Sequence, residues 1–161
     1  MTSNGLLPDL TSGIVIIGIG NLLLKDEGVG VHIIRELEKT TLPEDVSLID
    51  AGTATLDALQ MLGNVEKLIV IDAVKGGGKP GTVYKFKPED IISGDVASIS
   101  LHQLGFMEAL SIVERTGKSF KDITIIGVEP KEIVSGMELS PEIARKIPEI
   151  IKLIKKTIRE K

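Results

Sequence analysis

The sequence predicts an α/β fold: a single-domain three-layer α/β/α sandwich on a mainly parallel sheet. Three observations carry that expectation. The chain has 161 residues, the size of one domain, and 42% are apolar, enough for a continuous core. Its β-type segments are short continuous apolar runs, as expected of strands covered on both faces. Those runs alternate with segments of helical period, the rhythm of a parallel sheet.

Residues 1–12 are polar, contain Gly5 and Pro8, and read as a flexible N-terminal arm ahead of a single domain over 13–161. Ile14-Val15-Ile16-Ile17 reads as a buried strand. Val29, Ile33, Ile34 and Leu37 then recur at helical spacing. Val46-Ser47-Leu48-Ile49 is a second strand, and Leu56, Leu59 and Leu62 mark a short helix. Leu68-Ile69-Val70-Ile71 is the most apolar strand. Gly76-Gly77-Gly78-Lys79-Pro80-Gly81 is a loop, and Thr82 to Phe86 alternates like an exposed, antiparallel strand. Leu104 to Val113 is helical and Ile123 to Val128 a strand. Ser140-Pro141 starts a helix, with Ser as N-cap and Pro at the first position. Pro148 interrupts it, and Ile150, Ile151, Ile154 and Ile158 give the last helix its apolar face.

Composition removes several function classes. The 19 Lys+Arg against 23 Asp+Glu leave a net charge of −4, too acidic for broad nucleic-acid binding. Four aromatic residues make no base-stacking platform. The absence of cysteine excludes disulfides, thiolate metal sites and cysteine nucleophiles. A metal would have to be held by His, Asp, Glu or backbone oxygen, and only His32 and His102 offer imidazoles. The longest apolar run, Ile14 to Leu24, is broken by glycines and Asn21 and is too short to span a bilayer. No basic n-region precedes it, so the expected location is the cytoplasm, with no membrane insertion.

In open α/β sheets, ligands bind beyond the carboxyl ends of the strands. That places Gly18 to Gly30, Asp50, Gly52 and Thr53, Asp72, and Gly127, Glu129 and Pro130 at the candidate site. Gly18-Ile19-Gly20 invites a dinucleotide reading. The third glycine of that fingerprint would fall on Leu23, however, and Asp26 and Glu27 stand where a pyrophosphate would sit. Gly117-Lys118-Ser119 ends like a P-loop but follows a helix and lacks the upstream glycine, as a helix C-cap would. Motifs of the simplest zinc proteases and serine hydrolases are absent.

Glu27, Asp72 and His102 remain. Glu27 opens the first helix, and Asp72 follows the most apolar strand. His102 lies in Ser100-Leu101-His102-Gln103, which reads as a capping box and puts the imidazole in a first helical turn. One imidazole and two carboxylates suit a divalent cation with open positions. A helix N-terminus disfavours imidazolium and keeps the ring able to ligate. Each residue also has a plain structural reading: Glu27 as complement to a helix dipole, Asp72 as a loop cap, His102 as a helix-start residue. Asp26 is either a base or the N-cap of the first helix. His32, beside the apolar stripe of the first helix, reads as structural. Gly18, Gly20, Gly28 and Gly30 would let backbone approach an extended peptide closely, or simply serve a tight strand-to-helix turn. Gly52, Thr53 and the 76–78 glycine run would form other walls, the glycine run being held by few side chains and so mobile.

At these residues the chain resembles a known family. The stretch from Gly18-Ile19-Gly20-Asn21 through Asp26-Glu27-Gly28-Val29-Gly30 is similar to the glycine–asparagine loop and Asp-Glu-Gly element of hydrogenase maturation endopeptidases. Val70-Ile71-Asp72-Ala73 and Ser100-Leu101-His102-Gln103 resemble that family's other two signature elements, in the same order. The resemblance implies an α/β/α endopeptidase that removes the C-terminal extension from the precursor of a nickel–iron hydrogenase large subunit, after nickel insertion. It implies Glu27, Asp72 and His102 as metal-contacting residues; beside them Gly18, Gly20, Asn21, Gly28, Gly52 and Thr53 read as substrate-binding and Asp26 as a candidate catalytic base. It further implies nickel supplied by the substrate and no organic cofactor. Three ligands without a thiolate make a comparatively weak nickel site, which fits transient recognition better than storage. The rival expectation is a nucleotide- or small-ligand-binding α/β domain without peptidase activity.

Overall fold

Five strands form one sheet in the order β2-β1-β3-β5-β4. They are β1 (Ile14–Ile19), β2 (Val46–Gly52), β3 (Val65–Ala73), β4 (Val83–Phe86) and β5 (Phe120–Val128). The computed structural model describes residues 13–93 and 101–160, with 92, 93 and 101–104 described by backbone only. The expected arm at 1–12 and Ser100 of the capping box lie outside the described residues. β2, β1, β3 and β5 are mutually parallel, and β4 runs antiparallel to β5. The helices are α1 (Val29–Leu37), α2 (Thr55–Gln60), α3 (Pro88–Ser93), α4 (Leu101–Glu114), α5 (Pro141–Ala144) and α6 (Ile147–Arg159). A 3-10 turn over Lys25–Gly28 leads into α1.

The strands alternate their side chains between two apolar layers. Val15, Ile17 and Ile19 of β1, with Leu68 and Val70 of β3, pack under α2 and α4 against Leu59, Phe106, Leu110 and Val113. Ile16, Ile69, Ile71 and Ile126 face the other way, onto Ile33 and Ile34 of α1 and Ile150 and Ile154 of α6. Burial on both faces is why these strands read as unbroken apolar runs. Fully burying side chains of this size is worth about 1.5–3 kcal/mol each relative to exposure.

Three local expectations are adjusted. β3 extends through Asp72 and Ala73, which pair with Gly127 and Val128, so Asp72 stands inside the strand's last turns of pleat and not beyond it. The break near Pro148 falls before the proline, which occupies the first turn of α6. Ser140 is the N-cap residue of α5 with Pro141 following, but its hydroxyl makes no capping bond and is used elsewhere. Gly117, beyond the end of α4, has φ +96°, as its reading as a C-cap requires.

The topology places the site. From β1 the chain crosses to β2 by way of α1, then returns past β1 to β3 by way of α2, on the opposite face. The connections therefore diverge at the carboxyl ends of β1 and β3, opening a crevice there. The loop from Gly20 to Gly28 leaves β1 at that point, and Asp72 ends β3 beside it.

Candidate functional site

The β1–α1 connection is built on close backbone approach. Gly20 has φ +142°, and a Cβ there would fall 1.9 Å from the carbonyl oxygen of Glu27. Only glycine allows the loop to fold back onto the turn that carries Glu27. Gly18 and Gly28 are buried against Gly30 and Leu22, where a Cβ would collide with backbone, so they serve the tight strand-to-helix connection. Asn21 spends its side-chain oxygen locally, accepting from the Leu23 amide at 2.9 Å.

The turn carrying Glu27 packs against β3. Asp72 is buried, and its Oδ1 accepts from the Ala73 amide at 2.8 Å. By the two-residue period of the strand, Asp72 shares the face of Leu68, Val70 and Val74, the side covered by α4. His102 is the second residue of α4, in its first turn, as expected from the sequence; its side chain is outside the description. The turn bearing Glu27 and the strand end bearing Asp72 thus border one crevice, and the helix bearing His102 covers the face of Asp72. Among the described residues no three His, Cys, Asp or Glu side chains form a group that could hold a metal ion.

Beside this crevice lies an open cleft of about 380 Å³ between α2 and α4. Gly20, Gly52 and Thr53 line its rim, and Ile19, Leu56, Phe106, Ala109 and Ile112 its apolar floor. Gly18, Asn21 and Gly28 do not line it. A groove with polar backbone at the edge and an apolar floor suits an extended peptide segment.

Asp26 takes neither of its expected roles. The N-cap position of α1 is Gly28, with no side-chain cap. The Asp26 side chain is fully buried and turns away to the segment after β5. Its Oδ2 accepts from the amides of Lys131 and Glu132, both at 2.9 Å, and from the Ser140 hydroxyl at 2.7 Å. Its Oδ1 accepts from the Ser140 amide at 2.7 Å. Burial pushes its pKa up, but the hydrogen bonds from Glu132, Ser140 and Lys131 outweigh that and hold it below the usual carboxylate range. A saturated, buried, readily ionised carboxylate has no open face on which to take a proton from substrate water.

The glycine run is likewise held where the sequence suggests a mobile loop. Glu129 Oε1 accepts from the Gly76 amide at 2.8 Å, the Gly78 amide at 3.2 Å and the Tyr84 hydroxyl at 2.7 Å. One carboxylate at the end of β5 supplies what the glycines lack. His32 packs in a second cavity with Glu36, Met137, Leu139, Ile147 and Pro148, away from Asp72. Its Nε2 is buried without a hydrogen-bond partner among the described residues, and burial lowers the imidazole pKa.

Fold and site together define a three-layer α/β domain with two carboxylates at its topological switch and a peptide-sized cleft alongside. A family model described as hydrogenase maturation protease matches residues 31–157. The hydrogenase 2 maturation protease of Escherichia coli K12 is 37% identical over 91 residues, 55% of this chain and 56% of that protein. The hydrogenase expression/formation protein HupD of Rhodobacter capsulatus is 42% identical over 79 residues, 48% of this chain and 38% of that one. The chain thus spans about half the length of the curated relatives it matches. The solved structure of the hydrogenase maturating endopeptidase HybD from E. coli superimposes with a TM-score of 0.80 at 33% identity, over 91% of this chain and 92% of that one. The chain belongs to the hydrogenase maturation protease family. No helix among the described residues is long and apolar enough to cross a membrane.

Proposed function

We propose that this protein is an endopeptidase acting in the cytoplasm on the precursor of a nickel–iron hydrogenase large subunit. It removes the C-terminal extension after nickel insertion and uses the nickel carried by the precursor as its recognition element. The observation that supports this reading most is the packing of the turn that carries Glu27 against the strand that carries Asp72 at the switch point, on a sheet face covered by the helix that carries His102, in a chain of this family.

The chemistry follows from the donor set. Two carboxylates and an imidazole bind a divalent cation while leaving positions for the substrate's own ligands, and without thiolate they bind it weakly. Nickel then tethers the precursor to the protease only for the duration of cleavage. The cleft beside the carboxylates, walled by Gly20, Gly52 and Thr53, holds the adjoining extended segment. Holding the scissile bond at a fixed place relative to the metal is the main contribution such a site makes to rate.

The test compares nickel-loaded and nickel-free precursor at equal concentration, with both products weighed by mass spectrometry. The expected outcome is a single cut near the C terminus of the loaded form and none in the nickel-free form. Equal cleavage of both forms overturns the role of nickel; cleavage of neither overturns the peptidase reading.

A further inference from the structure

We infer that Asp26 is a positioning residue for Glu27, holding the neighbouring carboxylate at the nickel site by fastening its turn to the segment 131–140. This rests on the reading of Glu27 as a nickel contact and adds residues that reading does not use.

The argument starts from a mismatch. The Asp26 side chain is completely buried, yet it is bonded to nothing nearby in sequence. Its four donors come from residues 105 to 114 positions later. The backbone around it repeats the connection. The Asp26 amide donates to the Glu132 carbonyl at 3.2 Å, and the Lys25 amide to the Gly136 carbonyl at 2.8 Å. The Gly136 amide returns a bond to the Leu23 carbonyl at 2.9 Å. Lys25 Nζ pairs with Glu132 at 2.6 Å.

That density of contact holds an unfavourable conformation. Lys25 has φ +49°, left-handed for a side chain that gains nothing from it locally. Such a residue persists where its surroundings over-determine it. Here it lies at the turn where Asp26 is carried inward, directly ahead of Glu27. On the other flank the Glu27 carbonyl is packed against Gly20. The backbone of Glu27 is thus gripped from both sides. Ser140 completes the grip: its hydroxyl forgoes the helix cap to donate to Asp26. The segment 131–140 therefore shapes the site without contributing a ligand.

The test is nickel(II) binding by the full chain, followed by titration calorimetry and by the visible absorption of the bound ion. Asp26→Asn keeps the volume but turns one acceptor into a donor facing other donors. It is expected to weaken nickel binding about 10- to 100-fold, the range seen when groups orienting a metal ligand are lost. Ser140→Ala removes one donor only and is expected to weaken it a few-fold, about threefold, with the fold intact. Ile154→Ala, a core truncation in α6, serves as the control: it lowers the melting temperature and is expected to leave nickel affinity unchanged.

Wild-type affinity in both Asp26→Asn and Ser140→Ala overturns the inference, as does an equal loss in Ile154→Ala. Should Asp26→Asn fail to fold, Ser140→Ala decides alone. Glu27→Gln separates the two claims. If it abolishes binding while Asp26→Asn and Ser140→Ala do not weaken it, the inference fails and the reading of the site stands. If Glu27→Gln leaves binding intact, the reading fails and takes the inference with it.

Discussion

Asp26 and Lys67 are buried charges at opposite ends of the same sheet, and they are satisfied in opposite ways. Asp26, at the carboxyl rim, gathers backbone and hydroxyl donors from a distant loop. Lys67, at the amino-terminal end of β3, gives its ammonium protons to carbonyls of α6, those of Thr157 at 2.8 Å and Glu160. Asp122 lies 3.8 Å away. The last carbonyls of a helix carry the negative end of its dipole, so Lys67 meets a pre-existing need. Asp26 meets no such need of a regular element; it organises an irregular one. The contrast separates a charge that fastens a helix to the fold from one that fastens a loop at the carboxyl rim of the sheet.

Substitution is expected to expose the difference. Asp26→Ala strands several donors, of which the Ser140 amide and hydroxyl are fully buried, and should cost about 3–5 kcal/mol, seen as a fall of roughly 10 °C in melting temperature. Lys67→Met replaces the stem with apolar volume and leaves carbonyls near the chain end, so about 1 kcal/mol or less is expected. Equal losses by thermal unfolding would remove the distinction.

Glu129 offers an intermediate case on the rim. Glu129→Ala releases the Gly76 and Gly78 amides and the Tyr84 hydroxyl, at a cost of about 1–3 kcal/mol. Amide exchange at Gly76 and Gly78 should speed up while exchange in β1 does not. Burial and the Glu129 carboxylate together hold the Tyr84 pKa above its usual value. Tyr84 is the only tyrosine and there is no tryptophan, so ultraviolet titration reads it directly. Glu129→Gln should move that titration towards lower pH.

The smallest expected effect belongs to His32. Burial, reinforced by the Arg35 cation, depresses its folded pKa. The unfolded chain then binds a proton at higher pH than the folded one, so stability rises with pH across that interval. The contribution is complete above an unfolded pKa of about 6.5 and is lost as pH falls from there towards the folded value. The melting temperature of wild type, measured across this range, should fall relative to that of His32→Leu as the solution is acidified.

What the sequence made legible follows from how each feature is encoded. β1 and β3 announce themselves because both faces are buried and their apolar runs Ile14–Ile17 and Leu68–Ile71 hold no polar position, and in β5 only Thr124 breaks the run. Strand ends are harder to read, because Gly52 of β2, Asp72 of β3 and Lys121-Asp122 of β5 belong to strands yet look like loop. The switch-point location of Glu27 and Asp72, and the helical start at His102, were readable from strand order and capping signals. The clasp was not. Its acceptor is a side chain, but three of its four donors are residues whose identity is irrelevant to the bond: the amides of Lys131, Glu132 and Ser140. Backbone amides leave no mark in a sequence. Ser140-Pro141 correctly marked a helix start and gave no sign that the hydroxyl was committed elsewhere. The 76–78 glycines looked loose because what holds them is Glu129, some fifty residues on.

The long span of the Asp26 bonds also sets an order of assembly. Closing a loop of more than a hundred residues costs entropy that only the finished contacts repay. β1, α1, β2 and β3 can find one another early, since they lie within the first half of the chain. The turn at Glu27 cannot receive its four bonds until Ser140 has left the ribosome and the segment before it has docked. A nascent chain can therefore own most of its sheet while the edge at the carboxyl ends of β1 and β3 is still unmade.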